Sequence, residues 1–327
     1  MKKLLDLKET GKILLDAKRI AMAIHMSPDG DAIGSSLALA RVLRAYGKEV
    51  TIFVDDIIKG FKFLPEIKTI KTETDLDGIT EPVHFDLLCI LDCSTMNRIG
   101  RVKEKVVADK YLNIDHHISN EGFVDYTYLD GNAAATAEII SQLVKEMRWD
   151  LDKQAADYLF TGIYTDSGSF AFSCTRPETM YAGADLMKAG AEPHKIDEAM
   201  DVMDKDTLWL LTKALNTMTF DFDGRLAYMW VDRETYAAKQ KSADTDSFVT
   251  YPRRIEGVEV AVFFKEVEEN ITRLSMRSKK IDISKIALLF NGGGHEKAAG
   301  CTIHKPLKEA IKDFLGVIKD RMDKDNE

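Results

Sequence analysis

Short apolar runs alternate with helix-period patterns through the first half of the chain, which predicts repeated βα units around a parallel sheet. The runs that predict strands cover residues 20–25, 50–54, 85–92 and 111–115, and helical periodicity follows at 32–46, 134–147 and 153–164. From about residue 182 to 219 the pattern is helical throughout, with Met and Leu on one side and Lys and Asp on the other. Beyond it the texture changes. Residues 225–232, 258–267 and 271–278 read as consecutive strands, the last two joined by a tight Glu-Glu-Asn turn. An apolar helix over 283–290, a glycine run at 292–294, a strand near 301–304 and a helix over 307–322 complete the pattern. The expected fold is α/β. A larger domain over 1–190 carries a mainly parallel sheet flanked by helices, 191–219 forms a helical linker, and a smaller α/β domain with a mixed sheet occupies 220–327.

Composition narrows the class. Of the 327 residues 45% are hydrophobic and 30% charged, enough apolar material for two cores. No apolar run approaches the ~20 residues that span a bilayer. The opening stretch MKKLLDLKETGKILLDAKRI carries charges through its apolar part and reads as an amphipathic helix, not a signal peptide. Cys89, Cys93, Cys174 and Cys301 lack CxxC spacing and are expected to be reduced, structural thiols. A cytoplasmic location with no membrane partner is the expectation. The net charge of -9 argues against long nucleic acid, which needs many phosphate-neutralising cations, but leaves room for one local basic pocket.

Candidate chemistry gathers where strands end, the place where open parallel sheets bind ligands. His25-Met-Ser-Pro-Asp29-Gly-Asp31 follows the first predicted strand; it presents an imidazole and two carboxylates, or else a simple turn in which Asp31 caps the next helix. Asp92 ends the apolar run Leu-Leu-Cys-Ile-Leu. Asn113-Ile-Asp115-His116-His117 places two histidines after a strand, one able to bind a metal and one to address substrate, with Asp115 orienting a ring. Asp166 ends an apolar helix and is followed by Ser-Gly168. Each alone is ordinary turn or helix-end chemistry. Together His25, Asp29, Asp31, Asp92, His116 and Asp166 suit two divalent ions, whose +4 balances the -4 of the four carboxylates. Carboxylate and imidazole without thiolate favour Mn²⁺, with Mg²⁺ or Fe²⁺ as alternatives.

These segments, in this order, resemble the DHH family of phosphoesterases, which is named for a motif of the Asp115-His116-His117 type. HxxPDGDAIGS at 25–35 carries much of the resemblance, Asp92 and Asp166 fit the other acidic motifs, and Arg277-Ser278 with Gly292-Gly-Gly-His295-Glu-Lys-Ala-Ala-Gly300 matches the family's C-terminal domain. The compact two-domain form looks like the nanoRNase/pAp phosphatase (bifunctional oligoribonuclease) branch. The resemblance implies a Mn²⁺-dependent site with Asp92 bridging the ions, His25 and Asp29 on one metal, and Asp31, His116 and Asp166 near the other. Asp115, His116 and His117 are then the catalytic group, with His117 facing the phosphoryl group or leaving oxygen. It further implies hydrolysis of short oligoribonucleotides or 3'-phosphoadenosine 5'-phosphate (pAp) by a two-metal-activated hydroxide. Arg277, Ser278, Gly293, Gly294 and His295 are the expected substrate-binding residues, with the glycine amides and cationic side chains holding a terminal phosphate.

Two alternatives stay open at this point. A cyclic or linear di-AMP phosphodiesterase would use the same metal site with a different pocket. A metal-free nucleotide-binding regulator on a degenerate scaffold would lack a ligand, and none of the six is missing. The expected partners are small nucleotides or very short RNA, and assembly as a homodimer is left open.

Overall fold

The computed structural model describes residues 3–56, 61–239 and 243–324, and of residues 295, 320, 323 and 324 only the backbone. It divides into two compact units at Asp201/Val202.

The first unit is built on a six-stranded sheet. Its strands are β1 (Lys3–Leu4), β2 (Arg19–Ala23), β3 (Glu49–Phe53), β4 (Val83–Leu91), β5 (Val106–Asp115) and β6 (Tyr126–Leu129), in the order β1-β6-β5-β4-β2-β3. Every pairing is parallel, as the βα pattern predicts. Both faces are covered, so the strands are apolar on both sides. Met22, Cys89, Leu91 and Ile114 face one core together with Ile33, Leu37, Ile140 and Leu159 from helices, while Ala21, Leu88 and Ile90 face a second core with Leu76, Ile99 and Val102. From β2 the chain crosses to β3 on one side, whereas β4, β5 and β6 proceed to the other. That reversal makes the carboxyl ends of β2 and β4 the topological switch point, where a crevice opens. The amphipathic opening stretch forms the helix Leu7–Asp16, started by a capping box between Asp6 and Glu9.

The second unit holds a mixed sheet of β7 (Thr219–Asp221), β8 (Leu226–Val231), β9 (Val260–Glu268), β10 (Ile271–Ser278), β11 (Gly293–His295) and β12 (Ala298–Ile303), ordered β11-β12-β10-β9-β8-β7. Only β8 and β9 pair in parallel. Asn270 makes the β9–β10 turn with φ of 62°. One sheet face packs on the terminal helix Leu307–Lys324 through Phe264, Leu274, Met276, Phe314 and Ile318. The other packs Ala227, Ala261 and Phe263 against Leu210, Phe248 and Val249.

Two features depart from the pattern-based expectation. The stretch expected as a linker is shared out: Ile196 of the helix Pro193–Met200 sits in the first unit's core, and Leu210, Leu211 and Ala214 of the helix Lys205–Leu215 sit in the second's. The strands β1, β6, β7 and β11 were not expected, being two to four residues long, too short for a period-two signal.

Candidate active site

The PDGD turn closes β2 and opens the helix Gly30–Ala45. Asp29, not Asp31, caps that helix, its Oδ1 accepting from the amides of Asp31 and Ala32 at 3.0 Å each. Its Oδ2 lies 3.8 Å from His25 Nε2. Asp31 instead reaches across the fold. Wholly buried, it accepts from the amides of Thr136 (2.6 Å) and Ala137 (2.8 Å) at the start of the helix Thr136–Met147, where the helix dipole favours a carboxylate. Gly162 makes room for it: a Cβ there would stand 2.9 Å from Asp31 Oδ1 and 2.6 Å from Ala137 Cβ.

Asp92 follows β4 in the left-handed region, φ 56°, a strained conformation of the kind retained at functional sites. It is 2% exposed and is the meeting point of the cluster. His25 Nε2 lies 3.5 Å and His116 Nε2 3.4 Å from its two oxygens, and the Thr136 hydroxyl donates to it at 3.2 Å. Asp166, at the end of the helix Lys153–Asp166, lies 3.3 Å from His116 Nε2.

Each histidine is oriented by its other nitrogen. His25 Nδ1 pairs with the Met26 carbonyl (2.8 Å) and His116 Nδ1 with the Ala133 carbonyl (3.2 Å). A carbonyl only accepts, so both rings carry the proton on Nδ1 and turn Nε2 toward the carboxylates. His117 Nδ1 donates to Asp115 Oδ1 at 2.7 Å. Asp115 is buried and accepts in addition from Asn120 Nδ2 at 2.6 Å, and Asn120 is held by Asn113, whose Nδ2 donates to the carbonyls of Ile90 and Cys93.

Among the described residues, three groups have potential ligand atoms within 4.8 Å of one another: His25, Asp29 and Asp92; Asp31, His116 and Asp166; and Asp92, His116 and His117. Electrostatics matches the geometry. Burial pushes the Asp31 carboxyl well above the usual range and Asp166 to about 7, with neighbouring acids adding to both. Burial also opposes charge on His25 and His116, but Asp29 and Asp92 for the first, and Asp92 and Asp31 for the second, hold each at about 10. Burial works against ionised Asp92 as well, yet His116 and His25 hold its carboxyl far below the usual range. These buried imidazole and carboxylate donors could hold divalent metal.

Several contributors were not read from the sequence. Thr136 and the Ala133 carbonyl lie more than 15 residues from the groups they hold, and nothing local marks them. Asn120 likewise carries no sequence signal; the one available clue is Asn113, a polar residue set between the apolar Leu112 and Ile114. Glu138 is buried and accepts from the Ala134 amide (3.0 Å), the Thr179 hydroxyl (2.8 Å) and Arg176 (3.2 Å), which fixes the segment that offers its carbonyl to His116.

The second unit treats its expected site residues unevenly. Arg277 is half-buried on β10, its Nη1 donating to the Met276 carbonyl at 2.9 Å; burial, then Arg253, lowers its pKa. Ser278 is not on the same face. Alternation along the strand turns its hydroxyl inward, where it is buried and accepts from the Lys280 amide at 3.2 Å. Nor is the glycine run an open loop. Gly293 and Gly294 pair with Gly300 and Ala299 of β12, and at Gly294 the close approach that glycine permits is to that strand, whereas a Cβ on Gly293 would meet nothing within 4 Å. A Cβ on Gly294, where φ is 136°, would stand 2.5 Å from Ala298 O. The side chain of His295 lies outside the described residues.

Fold and site together define a phosphoesterase scaffold, and the family models agree. The DHH family, N-terminal domain model matches residues 19–163 and the DHHA1 domain model matches 224–324. The chain belongs to the DHH family and is a hydrolytic enzyme. Among its relatives is the bifunctional oligoribonuclease and PAP phosphatase NrnA of Thermus thermophilus, 32% identical over 305 residues, covering 93% of this chain and 90% of the relative. The protein of the same name from Bacillus subtilis is 28% identical over 289 residues, 86% of this chain and 88% of that one. The crystal structure of an exopolyphosphatase-related protein from Bacteroides fragilis superposes with a TM-score of 0.89 at 27% identity, covering 98% of this chain and 97% of that one. Among the described residues no helix is long and apolar enough to cross a membrane.

Proposed function

We propose that this enzyme hydrolyses phosphate esters in short oligoribonucleotides and in pAp, using two Mn²⁺ ions gathered around Asp92. One observation carries the reading: Asp92 lies within 3.5 Å of both His25 and His116, so one carboxylate is common to two ligand groups. His25, Asp29 and Asp92 would hold one ion, and Asp92, Asp31, His116 and Asp166 the other. Bound there, two such ions would supply Lewis-acid stabilisation of phosphoryl charge and lower the pKa of a water. The named relatives support the substrate class.

The chain's own groups do the rest. Burial opposes charge on His117, but Asp115, held through Nδ1, raises its pKa, so the imidazolium would give its Nε2 proton to the leaving oxygen. Thr136 and the amides of Thr136 and Ala137 hold Asp92 and Asp31 in place, so the ligands need no rearrangement as charge develops. Arg277 grips a phosphate of the substrate away from the scissile bond. The test is a Mn²⁺-dependent hydrolysis panel of pAp, di- to pentanucleotide RNA, linear and cyclic di-AMP and pyrophosphate. Turnover of pAp and short RNA above the others is expected; a clear preference for di-AMP would replace the substrate assignment, and full activity after exhaustive chelation would remove the metal mechanism.

A further inference from the structure

The second unit contains a cavity of about 510 Å³ that the proposed role of Arg277 does not use. Its origin lies in the sheet register. Directly paired residues on neighbouring strands share a face. One cross-strand row is Thr302, Arg273 and Lys265, and the next is Gly300, Ser275 and Phe263. A third row sets Arg277 between Ala298 and Ala261. The middle row has a glycine and a serine over β12 and β10, so the face is hollow between two cationic rows. Apolar cover from Phe248 and Val249 meets this face at Ala261 and Phe263 of β9, leaving Arg273 exposed.

The lining suits an anion of more than one phosphate's size. Lys265 is fixed over the hollow by donation to the Thr245 hydroxyl at 2.7 Å and by the Tyr236 ring at 5.0 Å. Arg273 has no ion-pair partner among the described residues, and Thr302, Ser275 and Asn291 add neutral hydrogen-bonding groups. Asp246 is the acid among the lining residues. Guanidinium, ammonium and hydroxyl groups converging on one hollow are chemistry for phosphate. The volume falls in the range of small-molecule sites and exceeds what a lone phosphate fills. Arg273 and Arg277 stand four residues apart on β10, about 13 Å at ~3.3 Å per residue, so a ligand that fills the hollow and also meets Arg277 is longer than one nucleotide.

We propose that the Arg273–Lys265 hollow is a second nucleotide subsite, taking a non-scissile phosphodiester of an oligoribonucleotide that extends past the phosphate at Arg277. The inference rests on the substrate class proposed above, and it makes RNA length, not pAp, the quantity this subsite senses.

The probe is a fluorescein-labelled 2'-O-methyl RNA pentamer, titrated by anisotropy into the full chain in EDTA at several KCl concentrations. Arg273→Gln is expected to weaken the pentamer about tenfold, the loss of one exposed charge-assisted contact. It should also flatten the plot of log affinity against log salt by about 0.7, the signature of one single-strand phosphate contact removed. Arg273→Lys should restore most of both, and pAp should compete with unchanged strength, within about twofold, in all three proteins. An unchanged salt slope, an equal loss for pAp, or no binding of the pentamer by the wild type overturns the subsite. Hydrolysis by the wild type in Mn²⁺ is scored separately. Pentamer binding with the expected salt dependence but no turnover of RNA or pAp would remove the proposed reaction and leave the subsite standing.

Discussion

In the first unit His25, Asp92 and His116 arrive from three strand ends, and each is held by a further group; in the second, Arg273 and Arg277 stand on one strand and share a face by alternation alone. The first arrangement holds most of its members by hydrogen bonds from groups outside the cluster. Asp31 takes two helix amides, Asp115 takes His117 and Asn120, and each ring is fixed by its second nitrogen. The second arrangement leaves long cationic arms at a sheet surface with few fixed partners. The contrast fits the work proposed for each. Carboxylates that share a metal repel one another at short range and hold position only when their surroundings over-determine them. A phosphate grip tolerates movement, because charge attraction falls off slowly with distance.

Substitutions should therefore cost most in the first unit and act through chemistry there, while those in the second act through binding. Asp92→Ala should abolish turnover while circular dichroism shows an intact fold, with elemental analysis finding both metal equivalents lost; near-normal activity in Mn²⁺ would remove Asp92 from the shared position. Asp115→Asn should lower kcat on the order of 10²-fold, because the neutral amide no longer stabilises the His117 imidazolium and sets its NH2 against His117 Nδ1–H or Asn120 Nδ2. Steady-state kinetics with unchanged kcat would release His117 from a proton-transfer role. Arg277→Ala should cost about 1.5–3 kcal/mol in kcat/KM for pAp, mostly as KM, and much less for bis-p-nitrophenyl phosphate, which has no second phosphate to grip. Equal proportional losses on both substrates would place Arg277 at the reacting centre or in folding.

Acid should weaken the first unit's metal affinity. Metal competes with the protons that Asp166 binds below about 7 and that His25 and His116 bind below about 10. Affinity therefore rises with pH through this window and falls as pH drops, by about tenfold or more per pH unit, with protons released on binding. Calorimetric Mn²⁺ titrations between pH 6 and 8 read both, and a flat profile would contradict the assigned ligands. The smallest effect has the opposite sign and lies in the second unit. Gly316 is exposed inside the helix Leu307–Lys324, with nothing within 4 Å of a Cβ placed there. Gly316→Ala should stabilise by roughly 0.5–1 kcal/mol in urea unfolding and leave turnover alone.

Much of this was legible along the chain. Period-two and period-3.6 patterns are local properties, so β2, β4, β9, β10 and most of the long helices were anticipated to within a few residues, while only the second half of β5 was. Parallel strands imply a crevice at their carboxyl ends, so a common crevice for His25, Asp92 and Asp115 followed from topology. What a short run does was less visible. The glycine run reads as a loop open to ligand because sequence does not record that β12 lies against it, and Ser278 joins Arg277 in a motif although the pleat sends the two to opposite faces.

The sequence by itself determined which residue types were available and which strand ends would carry them, because periodicity and side-chain chemistry need no knowledge of distant neighbours. The tertiary structure alone decided how each was held. Asp31 meets its amide partners 105 and 106 residues away, Thr136 meets Asp92 across 44, and Asn120 links Asp115 to the end of β4. Such pairings exist only once helices and sheet have packed, since a buried carboxylate takes whichever donors the fold brings within reach.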